Sequence, residues 1–546
     1  MHGWKMAMHS TSDSHRAAID ASSAQVADDE ILTKLRQVLA GMGDGGRISA
    51  SVYDTAQVLR FAQLPGDASA AYAWLLDKQR HDGGWGESDD PMHRLAPTIA
   101  AMLALHECAC DVRYGAALNA GSVFLAQQDL SRLSVLPDDM PIGAELILPR
   151  LCAEAQEAGL DLRMTLPATL VATGAIRRDK LREMSATQAG SPALHCWEAW
   201  GDRPAAEMLG DDGSLGLSPS ATAAWLNTAR NSCFSRDSLR CATHYLHRAT
   251  SGTGETAYGV VPCIWPLDLF ESAYILHALA MGGLLQHPAL AKPVSRAAAM
   301  LRNGITEQGA GFSTGLSSDG DTTAVAMAVL ALIGTPLEHD PLRRFARGHL
   351  FMTYPDERNS SLSTVIHAVH ALRLRGEPAR ASESYLWQRR HVDGLWREDK
   401  WHASWLYATS HAVAALSEGD IFSQRDLTLT GILMRQDACG GWGAAAPTFE
   451  ETAYAVLVLV RLAGMQPSSW VLQESISRAF RWMREIDQSL ARPPARALWI
   501  GKQLYCPIRV VRVIELTGLW VANRWLRQSD EIASGARPTH ASQETS

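Results

Sequence analysis

Apolar residues recur along this chain at helical spacing and almost never alternate as a strand requires. The segments "PTIAAMLALHECA", "ESAYILHALAMGGLL", "TTAVAMAVLALIG", "STVIHAVHALRL", "ATSHAVAALSEG" and "ETAYAVLVLVRLAG" set Ala, Leu and Val on helical periods, and most end at Gly or a polar residue. The pattern predicts an all-α protein. Between helices a punctuation unit returns: "QRHDGGWG" from Gln79, "QRRHVDGLW" from Gln388 and "QDACGGWG" from Gln436. In each, a Gln at a helix end precedes a Gly turn and then Trp85, Trp396 or Trp442. Gly admits the left-handed turn, the indole packs on a neighbouring helix, and the Gln amide can bond free groups at helix ends. "DDGSLGLSPS" (211–220) is a degenerate fourth copy without the Trp. One such turn is an ordinary core feature. Three with a matched Gln predict stacked helix pairs, as an open solenoid or a closed α/α barrel, and their irregularity favours the barrel.

Length divides this pattern in two: 546 residues exceed what one core serves, so two domains are expected. With 47% hydrophobic and 20% charged residues the chain is globular, and no apolar run approaches the ~18 residues of a membrane span. A net charge of −8 excludes nucleic acid as the main partner, so any anionic ligand must be met locally. The nine cysteines, among them Cys152, Cys263 and Cys506, are scattered and odd in number, which fits reduced thiols and a cytoplasmic setting. Residues 1–27 are polar, aperiodic and without a signal-peptide core. They are expected to form a disordered tail, which leaves the true translation start open, and 529–546 form a second one.

Candidate chemistry concentrates in a few places. "SSDGDTTAVAMAVL" puts Asp319, Asp321, Thr322 and Thr323 at the entrance of an apolar helix. By themselves they read as a capping box, since Ser, Thr and Asp satisfy free helix amides. Capping alone gives no reason for two acids and two threonines there. Asp138 and Asp139, in a loop before Pro141, read by themselves as solvated acids. Zinc is not supported, because His106, Cys108 and Cys110 lie two apart on a helical run and cannot converge on one ion. Neither a P-loop nor a dinucleotide Gly motif occurs at a strand-to-helix turn.

D-x-D-T-T-A at 319–324 resembles the D-x-D-D-T-A motif of class II terpene cyclases, and the Gln…Gly-x-Trp units resemble their QW motifs. "SVYDTAQVLRF" (51–61) is similar to the family's S-A-Y-D-T-A-W segment. "LPDDMPIGAELILPRL" (136–151) is similar to its acidic E-D…P-I-G-x-E block, and "VVPCIWPLDLFE" and "WIGKQLY" (499–505) are further family segments. The likeness is strongest to bacterial copalyl diphosphate synthases, including the ent-specific enzymes of rhizobial gibberellin operons, through "SVYDTAQVLRF", "PIGAELILP" and "FEETAYA". It implies two α/α barrels. Residues 28–63 and 259–528 would form the catalytic barrel, 64–258 an inserted second barrel, and the active site would lie between them.

The resemblance further implies bicyclisation of geranylgeranyl diphosphate to a copalyl-type diphosphate. The ent isomer is favoured over syn, normal or halimadienyl types; a squalene-type cyclase and a non-catalytic helical scaffold are the rivals. Asp321 would be the general acid. An alkene is a very poor base, so the carboxyl must be held protonated in a dry pocket that stabilises its conjugate base. Asp319 would raise its proton affinity and Asn359 would bond and orient it, although by itself Asn359 is an ordinary turn residue before a helix. Thr322 stands where the family motif usually has its last Asp; it can donate a hydrogen bond but carries no charge, so activity should survive. Asp138, Asp139 and Glu145 would hold the diphosphate with Mg²⁺, and Trp499, Lys502 and Tyr505 would contact substrate. The 17 Trp are ample for stabilising carbocations.

His195, in "ALHCWEAWG", matches the position where plant ent-specific enzymes place the His of a His–Asn base pair. The nearest counterpart of that Asn is Cys241, and a satisfied core His fits the same position equally well. The D-D-x-x-D and N-S-E motifs of class I enzymes do not occur, since Met-Pro-Ile follows Asp138-Asp139 and Pro-Met-His follows Asp89-Asp90. The product should therefore keep its diphosphate, and a separate class I diterpene synthase would act next.

Overall fold

Helices account for nearly all the regular structure, and they close into two rings. The computed structural model describes residues 26–62, 67–108, 112–135, 137, 139–184, 188–230, 234–464 and 469–533. Among these, strands are limited to two hairpins of two-residue strands. In the first ring α1 (Val52–Phe61) packs on α2 (Leu95–Cys108), then α3 (Ala144–Glu157), the single turn α4 (Trp197–Trp200) and α5 (Pro219–Arg230), which returns to α1. In the second, α6 (Asp268–Met281) is followed by α7 (Gly320–Leu332), α8 (Leu362–Leu374), α9 (Trp405–Ala415), α10 (Phe449–Ala463) and α11 (Ile508–Ala533), which closes on α6. Outer helices, such as Ala291–Gly304 and Trp470–Gln488, pack behind the rings. The all-α double barrel expected from the repeats is present.

The two layers are written differently in sequence. Every residue of α7 from Gly320 to Leu330 is buried, because an inner helix meets neighbours on all sides. The outer Trp470–Gln488 buries only Leu472, Ser475, Ile476, Ala479 and Met483, one stripe at helical spacing.

The Gly-Trp turns fasten outer helix to inner helix. The indole N–H of Trp85, Trp396 and Trp442 donates to the carbonyls of Leu75, Leu386 and Ile432 at 2.7, 2.7 and 2.8 Å. The Gln79 amide donates to Gly83 O and Ala117 O, and that of Gln436 to Gly440 O and Ser475 O. In the copy from Gln388, Arg390 does this instead, donating to Gly394 O and Thr428 Oγ1. Gly83 has φ +89°, and a Cβ there would sit 2.3 Å from Ala120 O, so the turn requires glycine.

A threonine completes each unit. The N–H of Trp85, Trp396 and Trp442 bonds Thr98, Thr409 and Thr452 on the next inner helix. In the degenerate copy Leu215 replaces the Trp and bonds Thr222 in the same way. Ala310 N bonds Thr323 Oγ1 at 2.9 Å, which makes the second threonine of the D-x-D-T-T motif such a fastening residue.

The domain division expected at residue 63 falls earlier. α1 packs on α2 and α5, so it is an inner helix of the first ring and not part of the catalytic barrel. Only the helix over 26–40 and the chain leading to Ala50 sit on the second ring, through Asn523 to Asp28 at 2.9 Å, Lys34 to Asp487 at 2.7 Å and Arg509 to Asp44 at 2.8 Å. The N-terminal tail expected through residue 27 gives way to this helix by residue 26, and 1–25 lie outside the described residues. Of the C-terminal tail expected from residue 529, 529–533 continue α11 instead, and 534–546 lie outside the described residues. The seven described cysteines are free, and no helix among the described residues is long and apolar enough to cross a membrane.

Candidate active site

At the entrance of α7, Asp319 is the N-cap: its Oδ1 accepts from Thr322 N at 2.6 Å. Two residues on, Asp321 occupies the first turn with 7% of its surface exposed. Its two oxygens are taken by the neighbours on either side of the ring. Tyr274 of α6 donates its hydroxyl to Oδ2 at 2.8 Å, and His367 Nδ1 of α8 lies 2.6 Å from Oδ1. His367 Nε2 in turn lies 2.6 Å from Nδ1 of His411 on α9.

Burial, with the Asp321 charge adding to it, raises the Tyr274 phenol well above its ordinary range, so it stays a neutral donor. Burial drives His411 well below the usual imidazole range, so it too is uncharged. The Asp319 carboxyl is pushed up to about 8 by burial, and its Oδ2 is buried without a partner. It therefore stands protonated at neutral pH. With Tyr274 and His367 both donating to Asp321, the carboxylate left after proton release is stabilised by two hydrogen bonds. That is the condition under which a carboxylic acid can protonate a weak base.

Aromatic rings surround this acid. Trp499, on the hairpin Trp499–Ile500 with Leu504–Tyr505, has ring centroids of Tyr274, Phe270, Tyr407 and His402 at 5.4, 5.5, 5.3 and 5.0 Å. Tyr505 lies at 6.5 Å, and Phe312 stacks on Phe270 at 4.7 Å. π-Faces at these distances attract a cation without offering it a nucleophile. Trp499 and Tyr505 therefore belong to the surroundings of Asp321.

Three expected residues stand elsewhere. Asn359 is exposed in the loop before α8, whereas Asp321 is buried. The orienting role expected of Asn359 falls to His367 and Tyr274. Lys502 is wholly buried and is no diphosphate ligand: its Nζ lies 2.7 Å from Glu198 Oε1, 2.7 Å from Ser218 Oγ, 2.6 Å from Ser220 Oγ and 3.7 Å from Asp54 Oδ1. Lys502 thus pins its hairpin to the first barrel. His195 Nδ1 pairs with Gly216 O at 2.9 Å, and burial, helped by the Lys502 charge, drives its pKa down to about 3. It is a neutral core histidine whose Nε2 keeps a lone pair.

The acidic block is half visible. Asp138 lies outside the described residues, and Asp139 is half-buried in the turn before α3. Glu145 is ion-paired with Arg177 and so is already engaged. Among the described residues no three His, Cys, Asp or Glu side chains converge as a ready metal cage. Mg²⁺ asks for less, commonly one or two carboxylates plus substrate phosphate, and Asp139 fits that need where Glu145 does not. Ile142 N bonds Gly501 O at 2.8 Å, which brings this loop against the hairpin that carries Trp499.

Sequence reasoning passed over Tyr274, His367 and His411. The signal was present as isolated polar rings inside helices otherwise made of Ala, Leu, Val and Ile, in "ESAYILHALA", "STVIHAVHAL" and "ATSHAVAAL".

No protein-family model matches the chain. An uncharacterised protein of Sinorhizobium fredii is 44% identical over 517 residues, covering 93% of this chain and 99% of its own length. The (+)-kolavenyl diphosphate synthase of Herpetosiphon aurantiacus is 34% identical over 511 residues, 90% of this chain and 97% of that one. Among solved structures, ent-copalyl diphosphate synthase from Streptomyces platensis superposes with a TM-score of 0.74 at 28% identity, covering 91% of this chain and 99% of that one.

Proposed function

Because this chain belongs to the class II diterpene cyclase family, we propose that it converts geranylgeranyl diphosphate to ent-copalyl diphosphate, with Asp321 as the proton donor. The observation that carries this reading is a buried carboxyl, bonded by Tyr274 and His367, beneath a shell of aromatic rings. The Asp321 proton adds to the terminal alkene of the substrate, and the resulting tertiary cation is attacked in turn by the next two double bonds. Two carbon–carbon bonds form as two π-bonds are consumed. A proton then leaves from a carbon next to the last cation, so the product is an isomer of the substrate. The aromatic surroundings of Asp321, Trp499 among them, would stabilise the travelling charge without capturing it.

The diphosphate is bound and not cleaved. Mg²⁺, held by Asp139 together with Asp138, would supply the charge neutralisation that lets an acidic loop accept an anion. The product keeps an allylic diphosphate, so the chemistry that follows is ionisation by a separate class I synthase.

The kolavenyl-forming relative favours a second reading, in which the bicyclic cation rearranges by hydride and methyl shifts before it loses its proton. Incubation with geranylgeranyl diphosphate and Mg²⁺, dephosphorylation and chiral gas chromatography decide between them. The account predicts ent-copalol from the native protein and none from Asp321→Ala. A rearranged alcohol would replace the product assignment, and unconverted geranylgeraniol from the native protein would overturn the reading itself.

A further inference from the structure

Behind Asp321, toward the C-terminal ends of the inner helices, four histidines line the interior of the second barrel. His367 is in contact with Asp321 and, through Nε2, with His411 Nδ1 at 2.6 Å. The His411 ring lies 5.0 Å from that of His277, and His277 Nε2 lies 3.3 Å from His370 Nδ1. His277 and His370 line a cavity of about 520 Å³ with Arg373, Glu418 and Arg461. Met281, Leu332, Leu374 and Val458, also in its wall, mark it as the C-terminal end of the inner helices, opposite the α7 entrance where Asp321 sits. Leu374, Glu418 and Arg461 on its rim are exposed, so the cavity opens to solvent.

A class II cyclase gives up its proton at every turnover, and a buried Asp321 under an occupied substrate pocket needs another way to regain it. We propose that the string His370, His277, His411, His367 returns the proton to Asp321 from the cavity at the far end of the barrel. The inference rests on the cyclase reading above.

The hydrogen bonds already point the right way. With His367 Nδ1–H donating to Asp321, its Nε2 must accept, so His411 donates from Nδ1 and keeps a bare Nε2. That Nε2 is buried and has no hydrogen-bond partner. After the alkene takes the Asp321 proton, the carboxylate takes the Nδ1 proton of His367. His367 takes the Nδ1 proton of His411 on Nε2, and His411 takes one on its own Nε2 from the cavity side through His277 and His370. One proton enters from solvent for each one given to the alkene, the one lost by the last cation restores the balance, and a turn of the His367 and His411 rings returns their N–H groups toward Asp321 before the next cycle. His277 and His411 pack ring on ring at 5.0 Å between centroids without a hydrogen bond, so this transfer requires one ring to turn. Burial holds His277 and His411 uncharged, and drives His370 down to about 3 with help from His367, Arg461 and Arg373, so these three rest neutral.

The test compares the first turnover with later ones in the full-length protein. Enzyme in excess over geranylgeranyl diphosphate reads one use of a proton already on Asp321; substrate in excess reads its return. His411→Gln keeps an amide donor for His367 but cannot pass a proton on. The expected result is a single-turnover rate within about twofold of native and a steady-state rate lowered about tenfold or more, on the scale of a lost proton transfer. His370→Gln, at the cavity wall, should show the same split and serves if His411→Gln does not fold. Equal slowing of both rates would mean that these histidines only orient His367, and no slowing of either would mean the proton enters elsewhere; each result overturns the relay. Absence of bicyclic product from the native protein would instead remove the cyclase reading on which it rests.

Discussion

Asp54 in the first barrel and Asp321 in the second are both buried aspartates in the first turn of an inner helix, and their neighbours give them opposite duties. Asp54 is bonded by Ser51 at 2.7 Å and Ser220 at 2.6 Å and lies 3.7 Å from the Lys502 ammonium. Burial raises its pKa, but the lysine works against that and holds it as the partner of a fixed cation. Asp321 is met by a phenol and an imidazole, with aromatic faces beyond them. Burial by itself does not make a carboxyl a proton donor. What decides is whether the groups around it lock the anion or merely stabilise it when it forms.

Exchanging or deleting these partners should break the comparison in a graded way. The largest effect is expected from Asp321→Asn, which keeps the shape and removes the acid: bicycle formation should fall by at least about 10²-fold to 10⁴-fold with an unchanged circular dichroism spectrum. Lys502→Ala comes next and should act on the fold. Leaving Glu198 and Asp54 buried without their cation should cost about 3–5 kcal/mol in urea unfolding. An unchanged unfolding midpoint with a raised KM would instead make Lys502 a diphosphate ligand and erase the distinction. Tyr274→Phe removes one of two donors to Asp321 and should cost about 1–3 kcal/mol of barrier, read in kcat with KM held.

A stability effect rather than a catalytic one concerns Asp319, whose carboxyl is pushed up to about 8 in the folded chain against 3.8 ordinarily. The folded protein then binds one more proton than the unfolded chain between those values. Stability should fall as pH rises through that window and level off above it. Asp319→Asn should flatten that slope in unfolding midpoints measured from pH 5 to 8.

The same contrast shows what was legible in the sequence. The double-barrel plan could be read because Gly turns, Trp and helix-start Thr repeat locally, and Asp319 and Asp321 stood out against an apolar helix. The partners of Asp321, Tyr274 and His367, and the His411 that bonds His367, were hidden because they lie on three different inner helices that meet only when the ring closes. Lys502 misled for the reverse reason: the resemblance set it against substrate, and only the packing of Glu198, Ser218 and Ser220 around it shows it paired inside the protein. α1 was assigned to the wrong barrel because a ten-residue helix carries no mark of which ring it joins.

The central claim is that Asp321 starts the reaction by giving its proton to an alkene. Running the native enzyme in deuterium oxide, with geranylgeranyl diphosphate and Mg²⁺, and weighing the intact diphosphate product tests it most directly. Protonation by an exchangeable carboxyl predicts a bicyclic diphosphate carrying a single deuterium at the carbon that was the terminal alkene, and no such product from Asp321→Asn. A cyclised product without deuterium, or one released from its diphosphate, would contradict it.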